Sequence, residues 1–179
     1  LEKNGVGSIS FDMRKGQTRP LLAIDVPETE DVSFSGLITN RTKQVENTYF
    51  GSVVKNGAGV LRLTQTTGIY GLRVELTVND GILRLPRTAK TSGNFNANYM
   101  RATVNAPGVL ILTSSSGITT ASWFYGGLCG DGVVSNAYST VATCYIASGE
   151  SYDDEPVFSG QIGGNVRMYI RLNSSFTGT

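Results

Sequence analysis

One stretch limits what this chain can fold into more than any other: residues 53–85, VVKNGAGVLRLTQTTGIYGLRVELTVNDGILRL. Two short alternating strands, Val60-Leu61-Arg62-Leu63 and Ile82-Leu83-Arg84-Leu85, each follow a polar turn that carries glycine. The turns are Lys55-Asn56-Gly57-Ala58-Gly59 and Asn79-Asp80-Gly81. Leu63 and Leu85 stand 22 positions apart, about one circuit of a coil in a repeat solenoid. Gly68 and Gly71 lie between them and can supply the positive φ of a sharp corner. A period-2 hairpin can use the same ingredients, so the choice rests on recurrence.

The pattern recurs. Residues 1–11, LEKNGVGSISF, repeat Lys-Asn-Gly-x-Gly followed by aliphatic, x, apolar. A second motif also occurs twice, as Phe34-Ser35-Gly36-Leu37-Ile38 and as Phe158-Ser159-Gly160-Gln161-Ile162. Weaker echoes are Val109-Leu110-Ile111-Leu112 and Val166-Arg167-Met168-Tyr169-Ile170-Arg171-Leu172. Between these marks no segment places apolar residues at helical spacing over the 11 or so positions that would justify a helix.

In this order the motifs (Phe-Ser-Gly-x-Ile, Lys-x-Gly-x-Gly-x-Leu-x-Leu, a Tyr/Gly corner, Val-x-x-Gly-x-Leu-x-Leu) resemble the autotransporter-associated β-strand repeat. Phe34 to Leu85 would be one nearly complete copy. The resemblance covers about half the chain and implies a right-handed parallel β-helix. It also implies an extracellular or cell-surface setting and a structural or adhesive role, with no shared catalytic residues. The expected organisation is solenoid coils over 1–86, an atypical insertion over 87–156, and a return to the repeat over 157–179. The inner ladders would include Ile9, Phe11, Leu61, Leu63, Leu83 and Leu85.

Composition agrees with short strands and tight turns, since the 179 residues include 22 glycines and 5 prolines. Charged residues make up only 16 % and the net charge is +1. That balance gives no electrostatic reason to expect nucleic acid or a membrane surface as partner. No apolar run approaches the roughly 20 residues that span a bilayer, and no signal segment opens the chain. The sequence starts and stops inside repeat motifs, so either the natural chain continues or copies stack end to end into filaments.

There is no histidine, which excludes Ser-His-Asp and Cys-His catalysis and any histidine-bearing zinc site. No cofactor is expected. The paired carboxylates of a glycoside hydrolase remain conceivable at Asp153, Asp154 and Glu155, with Asp131 and Glu150 nearby. The same oxygen donors form a candidate calcium site, against the plainer reading of a solvated acidic loop. Arg14, Lys15 and Arg19 form a small basic cluster of the solvated kind. The Asn-Gly and Asn-Asp-Gly segments are turn chemistry. In Asn105-Ala106-Pro107-Gly108, Pro107 is expected at the second place of a β-turn.

Cys129 and Cys144 are the only cysteines, and in a chain read as secreted they are expected to pair as a disulfide that holds the insertion. Trp123, Phe124 and Tyr125 are a candidate interface or glycan contact. At most two of the three can share a face of a strand, and packing of the inserted region is the plainer alternative.

The sequence therefore predicts an all-β, right-handed parallel β-helix with a loop-rich insertion. Its expected role is a non-enzymatic extracellular scaffold that self-associates or meets a glycan or host-surface receptor. Two rivals use the same composition: a β-sandwich, pilin-like adhesin subunit joined by strand addition, and a polysaccharide-cleaving solenoid enzyme. Antiparallel pairing would mark the first.

Overall fold

A computed structural model describes residues 9–11, 20–36, 38–40, 51–64, 74–85, 95–99, 101–112, 120–124, 126–146, 155–170 and 175–176. These residues contain strands and turns and no helix. The strands follow one another in coils. After β1 (Ile9–Phe11), the first coil carries β2 (Leu21–Asp25), β3 (Asp31–Phe34) and β4 (Ile38–Asn40), and the next carries β5 (Gly51–Asn56) and β6 (Val60–Leu63). The third runs through β7 (Val74–Val78), β8 (Ile82–Arg84) and β9 (Phe95–Tyr99), the fourth through β10 (Ala102–Val104), β11 (Val109–Ile111) and β12 (Thr120–Phe124). Then come β13 (Leu128–Cys129), β14 (Val133–Asn136) and β15 (Ala142–Ile146), followed by β16 (Val157–Phe158), β17 (Gln161–Gly164), β18 (Val166–Ile170) and β19 (Ser175–Phe176).

Each strand pairs in parallel with its counterpart one coil away. The first face has the order β13-β10-β7-β5-β2, the second β17-β14-β11-β8-β6-β3, and the third β18-β15-β12-β9. Two further parallel pairs are β1 with β4 and β16 with β19. This is a parallel β-solenoid, and the antiparallel pairing of a pilin-like sandwich is absent among the described residues. Leu61 stands opposite Leu83 in register, so the 22-residue spacing read from the sequence is one true coil. Leu63 and Leu85, two positions on, are both buried.

Alternation then decides what lies inside. On the second face Val32, Leu61, Leu83, Leu110, Val134 and Ile162 form one inward row. Leu61, Leu83, Leu110 and Val134 in that row are fully buried. On the first face Leu22, Val53, Leu76, Ala102 and Leu128 form another. Parallel sheets bury well because each rung covers the apolar side chain of the rung below.

The stretch 87–156 is irregular in sequence, and its described residues are regular in backbone. Its strands β9 to β15 occupy the same three sheets as the coils on either side, so the residues expected to leave the solenoid supply coils of it. Successive coils of the second face, read from Asp31, Val60, Ile82, Val109, Val133 and Gln161, take 29, 22, 27, 24 and 28 residues. The differences fall in the turns, while the strands keep register.

Both sequence motifs that recur do so at unequal places. Phe34 ends a strand of the second face and is followed by β4, whereas Phe158 ends β16 and is followed by the second-face strand β17. Likewise β1 pairs with β4 and not with β3, so Ile9 does not stand where Leu61 does. The turn Asn105–Gly108 is closed by Gly108 N–H donating to Asn105 C=O at 2.6 Å. Pro107 is therefore its third residue, behind a cis peptide bond, the arrangement of a type VI turn.

Candidate functional site

The corner between the first and second faces is built of stacked glycine-bearing turns. Gly57 and Gly81 have positive φ, 73° and 64°, as the Asn-Gly and Asn-Asp-Gly turns lead one to expect. A methyl group on Gly81 would run into the carbonyls of Gly57 and Gly59 one coil below. The turns thus stack backbone on backbone. Outside them runs an asparagine ladder: Asn105 Nδ2 donates to Asn79 Oδ1 at 2.8 Å, and Asn79 Nδ2 donates to Asn56 Oδ1 at 2.9 Å. At the next rung Asp131 Oδ1 accepts from the Ala106 amide at 2.8 Å.

Beneath that corner lies a lysine. Lys55 occupies an inward position of β5, in the row Ile24, Lys55, Val78, and its side chain is fully buried. Its Nζ donates to three backbone carbonyls: Asn56 at 2.9 Å, Gly57 at 2.5 Å and Asp80 at 3.1 Å. The first two belong to its own turn and the third to the turn of the next coil. Burial pulls the Lys55 pKa below its ordinary value, with Asp80 and Asp25 opposing that shift. A lysine in Val-Val-Lys-Asn reads as an outward polar residue, and its inward place was all but unannounced. Only the alternation Gly51, Val53, Lys55 hinted at it.

The sequence-derived candidates do not converge on one another. Cys129 and Cys144 are not joined by a disulfide, and the expected pairing is corrected by strand parity. Leu128 is buried and Cys129 beside it is on the outward register of β13, whereas Cys144 is wholly buried on β15, a strand of a different face. Side chains on opposite sides of a sheet wall cannot bridge without moving the backbone. Burial pushes the Cys144 thiol up to about 12.

Of the aromatic trio, Phe124 is fully buried in the core and so is removed from any glycan contact. Trp123 lies in register with Tyr145 on β15, and Tyr125 is outside the described residues. A ring pair does stand on this face: Tyr145 and Tyr169, in register on β15 and β18, stack at 4.8 Å with planes 11° apart.

Asp153, Asp154 and Glu150 lie outside the described residues, as do Arg14, Lys15 and Arg19. Glu155 is exposed. Among the described residues no group of three acidic, cysteine or histidine side chains is placed to hold a metal ion. No described helix is long and apolar enough to cross a membrane.

The outward side of the second face carries charge that sequence reading passed over. Asp31 accepts two bonds from Arg62, Nε to Oδ1 at 2.6 Å and Nη2 to Oδ2 at 2.5 Å. Those bonds hold the Asp31 carboxyl below the usual range and raise Arg62. Arg84 stands one rung along from Arg62.

No protein-family model, no curated protein and no solved structure matches this chain.

Proposed function

We propose that this chain is a segment of a structural rod, a non-enzymatic scaffold of a secreted or surface-displayed protein that associates with further copies of itself. The observation that supports this most is the continuous register of the second face, where six strands from successive coils stack without a break. Such a stack is quasi-one-dimensional: each coil rests on its neighbours, and the whole presents side chains at a fixed pitch. A surface of Asn, Thr and Ser over a core of aliphatic rows suits a spacer or adhesive stalk. Self-association has support at β18, which has no partner on its far side among the described residues. There Tyr169 and Ile170 are exposed and Val166 and Met168 only half buried. An open strand edge beside apolar side chains is the usual template for strand addition.

Negative-stain electron microscopy of the purified chain, paired with protease shaving of intact cells that express the natural protein, tests the reading. Rods or filaments, with fragments released from the outer surface, are the expected result. Compact monomers retained inside the cell would overturn it.

A further inference from the structure

The inward rows of the third face are closed at β15 and open at β18. Ala142, Cys144 and Ile146 are buried; Val166 and Met168, opposite the first two in register, are half buried, and Ile170, opposite the third, is 47 % exposed. On the outward side the Tyr145 and Tyr169 rings stack at 4.8 Å with planes 11° apart, about the spacing of two neighbouring strands. Tyr145 therefore covers one face of the Tyr169 ring, and the other face looks past the last rung. Arg167 beside it is exposed. The backbone is open in the same direction. β18 has β15 on one side and no strand on the other among the described residues. Ala142 N–H donates to Asn165 C=O at 2.8 Å, and Ala142 stands opposite Val166. Amide and carbonyl of one residue point the same way and alternate along a strand. Arg167 and Tyr169 thus bond toward β15, while Val166, Met168 and Ile170 turn their amides and carbonyls to the free edge.

We propose that β18 is the joint between two copies of this chain, paired antiparallel about a two-fold axis at Met168. This rests on the self-association proposed for the chain and names its partner, its strand and its register. The partner is a second copy because the strand is complementary to itself. A two-fold centred on Met168 pairs β18 over its whole length, with Val166 opposite the second copy's Ile170 and Met168 opposite its own equivalent. These are the residues whose amides and carbonyls are free, so each such pair exchanges main-chain bonds. Their side chains all lie on the inward register, so apolar meets apolar. Arg167 then falls opposite the second copy's Tyr169, at the sites without main-chain bonds where side chains come closest. There its guanidinium reaches the uncovered face of the ring. Centring on Arg167 would set two guanidiniums against each other, and a slip of one residue would turn the apolar row outward. The joint is isologous and closed, so it couples rods in pairs.

Sedimentation velocity of the whole chain over a range of concentrations reads the stoichiometry, and a mixture of isotope-labelled and unlabelled chain reads the contact by filtered NOE spectroscopy. A dimer is expected, with filtered contacts between Ile170 methyls of one copy and Val166 methyls of the other. Within one strand these two residues lie about 13 Å apart, too far for a contact inside one copy. Arg167→Ala, at an exposed position, removes both cation–π pairs and should weaken the dimer about five- to thirtyfold. Met168→Pro removes an amide that faces the free edge and none that serves β15, a place where a strand tolerates proline. That variant should keep the folded methyl spectrum of Leu61 and Leu83 and lose the dimer. A dimer that survives Met168→Pro, undiminished association of Arg167→Ala, or filtered contacts that exclude β18 would each overturn this joint and leave self-association standing. A chain that is monomeric at every concentration would overturn both.

Discussion

Replacing Lys55 by methionine removes a buried ammonium and keeps the shape of the side chain. Three carbonyls then lose a donor, those of Asn56, Gly57 and Asp80. Asn56 C=O retains the amide of Val26 at 3.0 Å, so two are left without a donor among the described residues. A buried acceptor without a partner costs about 1–3 kcal/mol, or ~2–6 kcal/mol for the pair. Against that, the variant no longer has to desolvate a charge, and swaps of buried charges for apolar groups are often close to neutral. Here the acceptors are fixed backbone, held in place by stacked glycine turns, and cannot be replaced along with the lysine. The net loss should therefore sit near the lower end, about 2–3 kcal/mol, or a fall in Tm of roughly 5–10 °C for a chain of this size.

The pH dependence gives this prediction a sign that packing alone would not. The folded pKa of Lys55 lies below the ordinary 10.5, so in the window beneath that value the unfolded chain binds more protons than the folded one. Stability from this group therefore rises with pH through the window and is lost as pH falls through the folded pKa. A neutral amine still donates to carbonyls. The difference between wild type and Lys55→Met, measured by urea unfolding at a series of pH values, should widen as pH approaches 10.5. A variant as stable as wild type at pH 7, or a difference that shrinks with rising pH, would refute the argument.

Three further outcomes follow from the same geometry. Gly81→Ala places a methyl group against stacked backbone at φ 64° and should cost more than about 2 kcal/mol in urea unfolding; Gly163→Ala, which meets only Ser135, should stay within ~1 kcal/mol. Asp31→Asn breaks an ion pair whose side chains are 36 % and 47 % exposed, so solvent screening limits the loss to about 0.2–1 kcal/mol. With the Asp31 pKa lowered by Arg62, that contribution is present above the unfolded carboxyl pKa and disappears as pH falls through the folded one, which acid titration of both proteins can follow. A native thiol assay at pH 8 should find Cys129 reactive and Cys144 protected, because only a thiolate reacts and that of Cys144 forms at about 12; both should react in urea.

Much of the architecture was legible because one coil, from Leu61 to Leu83, has the shortest return and the clearest alternation. Elsewhere the return lengthens by as many as seven residues, nearly all of them between a second-face strand and the next first-face strand, while the turn from the first face to the second stays at three to five residues from β2 to β14. Strands as short as Leu128–Cys129 give period-2 reading too few positions to work on, so coils were mistaken for an excursion. The duplicated Phe-Ser-Gly motif suits any corner where a ring plugs the end of the core, and for that reason it marked two different corners. Cysteine parity was readable in principle, since Cys129 follows a large apolar residue in its strand and Cys144 alternates with Ala142 and Ile146. Lys55 was barely readable: what makes its place tolerable is one carbonyl of the next coil, that of Asp80, added to two of its own turn, and only tertiary register brings the three together.

The account depends on coils that stack in parallel and in register. The most direct measurement is the pattern of methyl–methyl contacts in a specifically labelled sample, read by NOE spectroscopy at Leu61, Leu83, Leu110 and Val134. Neighbouring rungs of a parallel sheet are roughly 5 Å apart, so contacts should join Leu61 to Leu83, Leu83 to Leu110, and Leu110 to Val134. None should join Leu61 to Val134. A direct Leu61–Val134 contact, or Leu61 and Leu83 found in separate clusters, would contradict the solenoid and everything built on it.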